Sequence, residues 1–202
     1  MWYRFLVFVV AALLAGTRPG LAQTRWEIDP AHTSVRFSIR HLMFSHVRGA
    51  FRKVEVSIRS DDLDLARSTV EATIDASSID TREARRDEHL RGPDFLDVAR
   101  YPTITFKSKK IEPAGDRRWK VTGELTLHGV TREVVLNVEG PTAEVSDTQG
   151  KLRTSARATV EIDRRDFDIV WNKPLEAGGL TVGNAVAISI DVEGIKVSPS
   201  AG

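Results

Sequence analysis

The amino-acid sequence predicts an all-β fold of eight antiparallel strands, and three observations carry that reading. From Trp26 onward, short segments alternate apolar with charged or hydroxylated residues at period two. Each segment has one wet face, which antiparallel sheets tolerate; a parallel sheet, covered on both sides, would read apolar throughout. Turn residues fall between segments at Arg48-Gly49-Ala50, Ser60-Asp61-Asp62, Pro113-Ala114-Gly115-Asp116, His128-Gly129-Val130 and Gly140-Pro141.

The first strand sets Val35, Phe37 and Ile39 against Ser34, Arg36, Ser38 and Arg40. Val54, Val56 and Ile58 then alternate with Lys53, Glu55, Ser57 and Arg59, and Val70, Ala72 and Ile74 with Glu71, Thr73 and Asp75. Ile104 and Phe106 oppose Thr105 and Lys107, while Val121, Gly123, Leu125 and Leu127 oppose Thr122, Glu124 and Thr126. Val134, Leu136 and Val138 form the sixth apolar face, Ala156, Ala158, Val160 and Ile162 the seventh, and Val186, Ile188, Ile190 and Val192 the eighth. A sandwich and a closed barrel share this alternation, so periodicity leaves both open.

One stretch breaks the pattern, a short helical insertion near residues 81–98. Asp80 stands as N-cap with Glu83 three residues on, and a helix is predicted through Arg82 to Leu90, stopped by Gly92-Pro93. Asp87 is spaced to pair with Arg91, and the arginines Arg82, Arg85, Arg86 and Arg91 read as a solvated face diluted by Glu83 and Glu88. A second turn over Asp94 to Ala99 completes an excursion that plugs or rims one end of the sheet.

Ahead of the strands, Arg4 precedes the uncharged run Phe5 to Ala15, and Gly20-Leu21-Ala22 offers small residues at a cleavage site. A bilayer-spanning helix needs ~20 apolar residues, and this run breaks at Gly16, Arg18 and Pro19. Residues 1–22 are therefore expected to be a cleaved export signal, leaving one domain over 23–202. Losing Arg4 and Arg18 leaves 27 basic against 28 acidic residues, a balance that asks for no nucleic acid. With no cysteine, lipoprotein attachment is excluded and an exported fold must rest on burial and its hydrogen-bond ladder.

If the sheet closes, its interior is predicted to be hollow. Val70, Ala72, Ile74, Ala76, Ala156, Ala158 and Val160 are small for positions facing a barrel axis, and only 7% of the chain is aromatic. An empty apolar void costs on the order of 24 cal/mol per Å³, so a large one calls for a guest. The competing expectation is a packed barrel with the helix as its lid.

Polar candidates are few. His41, in register with Val35, Phe37 and Ile39, should face inward near a strand end. His41, His46 and Arg48 flank one predicted hairpin and could form a polar mouth for a phosphate or carbonyl, which an arginine fork suits. Asp29 and His32 are read as capping their own turn. The histidines lack zinc-ligand spacing, and Asp61, Asp62 and Asp64 lack a calcium-loop ladder, so no metal is assigned. No Gly-x-Ser-x-Gly elbow occurs, so no catalytic residue is assigned; a base at His41 or His128 is the enzyme alternative, and a ligand-free interaction scaffold a third.

Three segments resemble the YceI-like family of periplasmic polyisoprenoid-binding proteins: Trp26-Glu27-Ile28-Asp29-Pro30-Ala31-His32-Thr33-Ser34-Val35 running on to Phe51, Asp87-Glu88-His89-Leu90-Arg91-Gly92-Pro93-Asp94-Phe95-Leu96-Asp97 with Tyr101-Pro102-Thr103-Ile104-Thr105-Phe106, and Gly123-Glu124-Leu125-Thr126-Leu127-His128-Gly129-Val130-Thr131. The chain departs from the pattern at His46, Ala50 and Gly92. The resemblance implies an extended lipocalin-like barrel in the periplasm that takes the tail of a polyprenyl lipid, isoprenoid quinone or similar amphiphile along its axis, with no other cofactor and no chemistry done on it. Tail-binding residues are then expected at Val35, Phe37, Ile39, Val54, Val56, Ile74, Phe106, Leu125, Leu127, Val160, Ile162 and Ile188, with Trp171 as an aromatic wall near one end. His41, His46 and Arg48 become the headgroup candidates. Transient contact with a membrane surface or membrane protein, and a homodimer, are the remaining partner classes.

Overall fold

The computed structural model describes residues 23–61, 64–176 and 178–197. The expected export signal and Asp62 lie outside them. The alternating segments form twelve strands: β1 (Gln23–Ile28), β2 (Ser34–His41), β3 (Ser45–Phe51), β4 (Val54–Asp61), β5 (Thr69–Asp75), β6 (Ile79–Asp80), β7 (Thr103–Gly115), β8 (Arg118–Leu127), β9 (Val130–Glu139), β10 (Val145–Ser146), β11 (Leu152–Asp163) and β12 (Val182–Val197).

Register reduces these twelve to eight staves. β1 and β2 both run antiparallel to β12, with Trp26 opposite Lys196 and Phe37 opposite Ile188, so they are two halves of one stave. β4 pairs with β1 and β3 with β2; β5 pairs with β4 and β6 with β3. β7, β8, β9 and β11 follow as successive antiparallel neighbours, β10 pairs with β11 as a second segment of the β9 stave, and β11 pairs with β12 from Arg153↔Ile195 to Asp163↔Ala185. That last ladder joins the two ends of the sheet. The closed eight-stave antiparallel barrel excludes the sandwich, because a two-layer stack leaves its sheet edges unpaired.

The up-and-down path sorts the connections. Residues 42–44, 81–102, 128–129, 164–176 and 178–181 gather at one end, hereafter the helical end; the described residues of the β4–β5, β7–β8 and β9–β11 connections lie at the other. A buried cluster including Ile79, Phe95, Leu96, Leu127, Phe167 and Ile169 fills the helical end. Ile111, Val121 and Leu136 form a smaller one, with Trp119 and Phe106 against it, toward the opposite end.

Three local expectations need correcting. Arg48-Gly49-Ala50 is no turn but the middle of β3, paired with Ser38, Phe37 and Arg36. Helix α1 (Ala84–Arg91) starts later than the sequence suggested, because Glu83 and not Asp80 is its N-cap, accepting from the Arg85 and Arg86 backbone N–H groups. Asp80 instead accepts from the Arg82 N–H at 2.7 Å and from Arg52. Asp87 does not pair with Arg91; it is buried and accepts from the Thr81 N–H at 2.9 Å and from the Thr81 hydroxyl. Arg91 donates to the Ser77 and Ile79 carbonyls, and Arg86 to the Thr81 hydroxyl and carbonyl, so two of the helix arginines bolt α1 to the strand that leads into it. Gly92 ends the helix as expected.

An ionic clamp spans the seam on the outer face. Arg153 of β11 donates to Glu193 of β12 at 2.7 Å, to Asp29 in the β1–β2 joint at 2.7 Å and to Asp147 at 2.7 Å. Asp29 also accepts from the Ala31 N–H and contacts the His32 ring, the turn-capping role read from the sequence.

Candidate functional site

The inward face of each stave is set by the alternation, and the side chains there are too small to meet at the axis. They leave a lumen of about 450 Å³, inside the ~300–1,000 Å³ range of small-molecule sites. At ~24 cal/mol per Å³, an empty void of that size would cost on the order of 11 kcal/mol, as much as a whole domain's stability. Water does not remove the cost, since each molecule needs two to four polar partners and the walls are almost wholly apolar. A hydrophobic guest does.

All thirteen residues read as apolar wall line the lumen. Val35, Phe37 and Ile39 come from β2, Val54 and Val56 from β4, Ile74 from β5, Phe106 from β7, Leu125 and Leu127 from β8, Val160 and Ile162 from β11 and Ile188 from β12, with Trp171 from the β11–β12 loop. Ala72, Ala156 and Ala158 provide the slack between them.

The polar candidates divide. His41 lines the lumen at the helical end. His46 and Arg48 do not join it: they alternate with the lumen-lining Val47 and are exposed on the outer face of β3. Their expected place at a mouth came from reading a turn where a strand continues. Instead Arg86, His89, Arg164 and Thr181 contribute to the lining at the helical end. His89 lies in the second segment that carries the family resemblance; Arg86, Arg164 and Thr181 have no local sequence signal, and long-range closure brings them there.

His89, Phe95 and Trp171 form a ring cluster, with His89 edge-on to both others at centroid separations of 5.0 and 5.1 Å. Asp94 accepts from His89 Nε2 at 2.9 Å and fixes that ring. Arg164 is only 4% exposed and donates to the Gly183 carbonyl, the Ile169 carbonyl and Asn184 Oδ1. Burial pushes its pKa below the ordinary guanidinium value. Its neutral acceptors tie the β11–β12 loop back onto β12, which holds Trp171 against the lumen. The lining set includes no carboxylate, thiol or serine among the described residues.

Asp29, His32 and Glu193 converge closely enough to ligate a cation. The Arg153 guanidinium already sits between Asp29 and Glu193, so the cluster carries its own positive charge.

A closed eight-stave antiparallel barrel with a hollow apolar interior and a helix across one end has the architecture of barrels wide enough to hold one small ligand. Comparison with known proteins places it more narrowly: the chain belongs to the YceI-like family, whose domain model matches residues 26–194. A UPF0312 protein of Staphylococcus aureus is 34% identical over 170 residues, 84% of this chain and 96% of that protein. A UPF0312 protein of Vibrio cholerae is 37% identical over 139 residues, 69% and 73% of the two chains. Among solved structures, a Campylobacter jejuni YceI protein aligns with a TM-score of 0.65 at 28% identity, over 79% of this chain and 90% of that one. Two others share the fold at lower identity. Burkholderia cenocepacia BcnA gives a TM-score of 0.71 at 24% identity over 83% and 99% of the chains. A polyisoprenoid-binding domain from Saccharophagus degradans gives 0.59 at 16% over 86% and 98%.

Proposed function

We propose that this protein is a periplasmic carrier that holds the tail of a long-chain isoprenoid lipid, a polyprenyl lipid or an isoprenoid quinone, in its barrel and releases it unchanged. One observation carries the reading: the apolar lumen of about 450 Å³, too costly to stand empty and too dry to hold water. Each CH₂ group moved from water into it contributes ~0.8 kcal/mol, so a long tail alone gives tight binding. The polyisoprenoid-binding neighbour supports an isoprenoid rather than a straight acyl chain. A lining without carboxylate, thiol or serine supports storage over chemistry. The leader-like residues 1–22 support export.

Organic extraction of protein purified from the exported fraction, followed by mass spectrometry, tests this reading. Stoichiometric, unmodified isoprenoid lipid is the expected result. A substrate and product mixture would replace the carrier with an enzyme, and lipid-free protein that refuses loading from detergent micelles would leave only a scaffold.

A further inference from the structure

The connection between β2 and β3 is a tight hairpin whose left-handed positions carry apolar side chains that the turn does not need. Leu42 and Met43 both adopt left-handed backbone, with φ of 51° and 65°, positions that hairpins ordinarily give to Asn or Gly. The tip is also apolar and bare: Phe44 is 80% exposed and Met43 51%. Strain kept at a tip that also costs solubility points to a function for the side chains.

The neighbouring loop presents the same chemistry. Val170 is 67% exposed and Leu180 39%. The two loops are joined, since the Leu42 N–H donates to the Thr181 carbonyl at 2.9 Å and the Thr181 N–H to the Lys173 carbonyl at 3.0 Å. His41, Trp171 and Thr181, the chain neighbours of Leu42, Val170 and Leu180, line the lumen. The exposed tips are therefore one residue along the chain from the wall of the lumen.

We infer that the helical end docks on a lipid bilayer by inserting Met43, Phe44, Val170 and Leu180, and that this rim passes the isoprenoid tail between bilayer and lumen. The passing step rests on the carrier reading; the docking does not. The geometry favours lipid over a protein partner. These residues stand on two joined loops beside an almost wholly apolar lumen, which suits hydrocarbon better than the polar border of a protein interface. Immersed in hydrocarbon, they spare a migrating tail any contact with water. Charges along the β11–β12 loop balance, Arg164, Arg165 and Lys173 against Asp166, Asp168 and Glu176, so insertion of apolar surface, not lipid charge, holds the protein down.

Flotation with vesicles of phosphatidylethanolamine and phosphatidylglycerol, using protein from the exported fraction, tests the docking. The natural protein is expected to float at low and high salt. The double variant Phe44→Ser, Val170→Ser should partition about tenfold less or weaker still. Val145→Ser with Leu152→Ser, exposed apolar residues toward the opposite end, should change nothing. Met43→Gly with Phe44→Ser relieves strain, so it should melt no lower than the natural protein and still fail to float, which separates docking from folding. Flotation unchanged by the rim variants, or absent in the natural protein, overturns the docking. Loading from detergent micelles bypasses the bilayer: protein that loads but does not float overturns the rim alone, and protein that floats but never loads overturns the carrier reading and the passing step while docking stands.

Discussion

The ring of Phe37 on β2 lies over Gly49 on β3, and a Cβ at position 49 would sit 2.5 Å from Phe37 Cζ. Phe106 on β7 covers Gly123 on β8 in the same way, at 2.5 Å. In both cases the missing side chain lets a large ring fold back along the wall instead of crossing the lumen. The two glycines keep the barrel open.

The two pairs differ in what can yield. A Cβ at 123 would also lie 2.5 Å from the Lys107 carbonyl oxygen, which is backbone, whereas its counterpart at 49 meets only side chains, the Phe37 ring and Thr81 Cγ2. Gly123→Ala should therefore cost about 2–3 kcal/mol and Gly49→Ala about 1 kcal/mol, the range of overpacked cores. Equilibrium urea denaturation gives both numbers, and equal costs would contradict the backbone argument.

Filling the lumen should separate binding from folding. Ala158 lines it between its cross-strand neighbours Ile190 and Val138. Ala158→Phe places a ring in space now unfilled, so the lipid-free protein should gain about 1–3 kcal/mol from the added burial. Lipid recovered by extraction should fall at least about tenfold, since the ring takes room the tail requires. A variant that melts higher yet carries as much lipid would move the binding site out of the barrel.

The walls of the lumen were legible in the sequence because period-two alternation fixes which face looks inward, and closure only has to wrap it. What escaped was set by partners distant in the chain. Gly49 read as a turn because a lone glycine in a strand usually marks one; its reason for being there is the Phe37 ring, and that misreading sent His46 and Arg48 to the mouth. Asp80 and Glu83 are three residues apart, so both fit a capping pattern, and only in the fold does Glu83 accept from the Arg85 and Arg86 N–H groups while Asp80 turns to Arg52. Arg153 meets Asp29 across 124 residues, a pairing no local pattern announces.

The bolt beneath α1 should govern the helical end. Asp87 and Thr81 are 7% and 5% exposed, and Asp87 accepts both the N–H and the hydroxyl of Thr81 while Arg86 donates to that hydroxyl. Asp87→Ala leaves those buried donors without their acceptor, at a cost of about 2–3 kcal/mol. Amide exchange should rise across residues 81–98 before it rises in β8 or β11, because the helix loosens before the barrel opens. Uniform loss of protection would mean that the helix is part of the barrel's own cooperative unit.

The seam clamp should write itself into the pH dependence of stability. The Arg153 guanidinium first, then His32 and the Ala31 N–H, hold the Asp29 carboxyl well below the ordinary carboxylate range, and Arg153, then the Lys151 N–H, lower the pKa of Asp147. Unfolded, both groups return to a pKa of about 3.9 and bind protons more readily than when folded. Their contribution is thus complete above about pH 4 and drains away as pH falls toward the folded values. His32 runs the other way: Asp29, then Glu193, raise its pKa above 6.5, so its share is complete below 6.5 and is lost as pH rises through the folded value. Stability from this cluster should peak between those limits. Arg153→Met removes the leading cause for both carboxylates, so it should lower the melting temperature by a few degrees near neutrality and flatten the acid limb. The alkaline limb should survive, because His32 keeps Asp29. Melting curves of both proteins from about pH 3 to about pH 8 decide it: two parallel profiles would show that the guanidinium does not set these carboxylates and that the seam is held by its strand ladder alone.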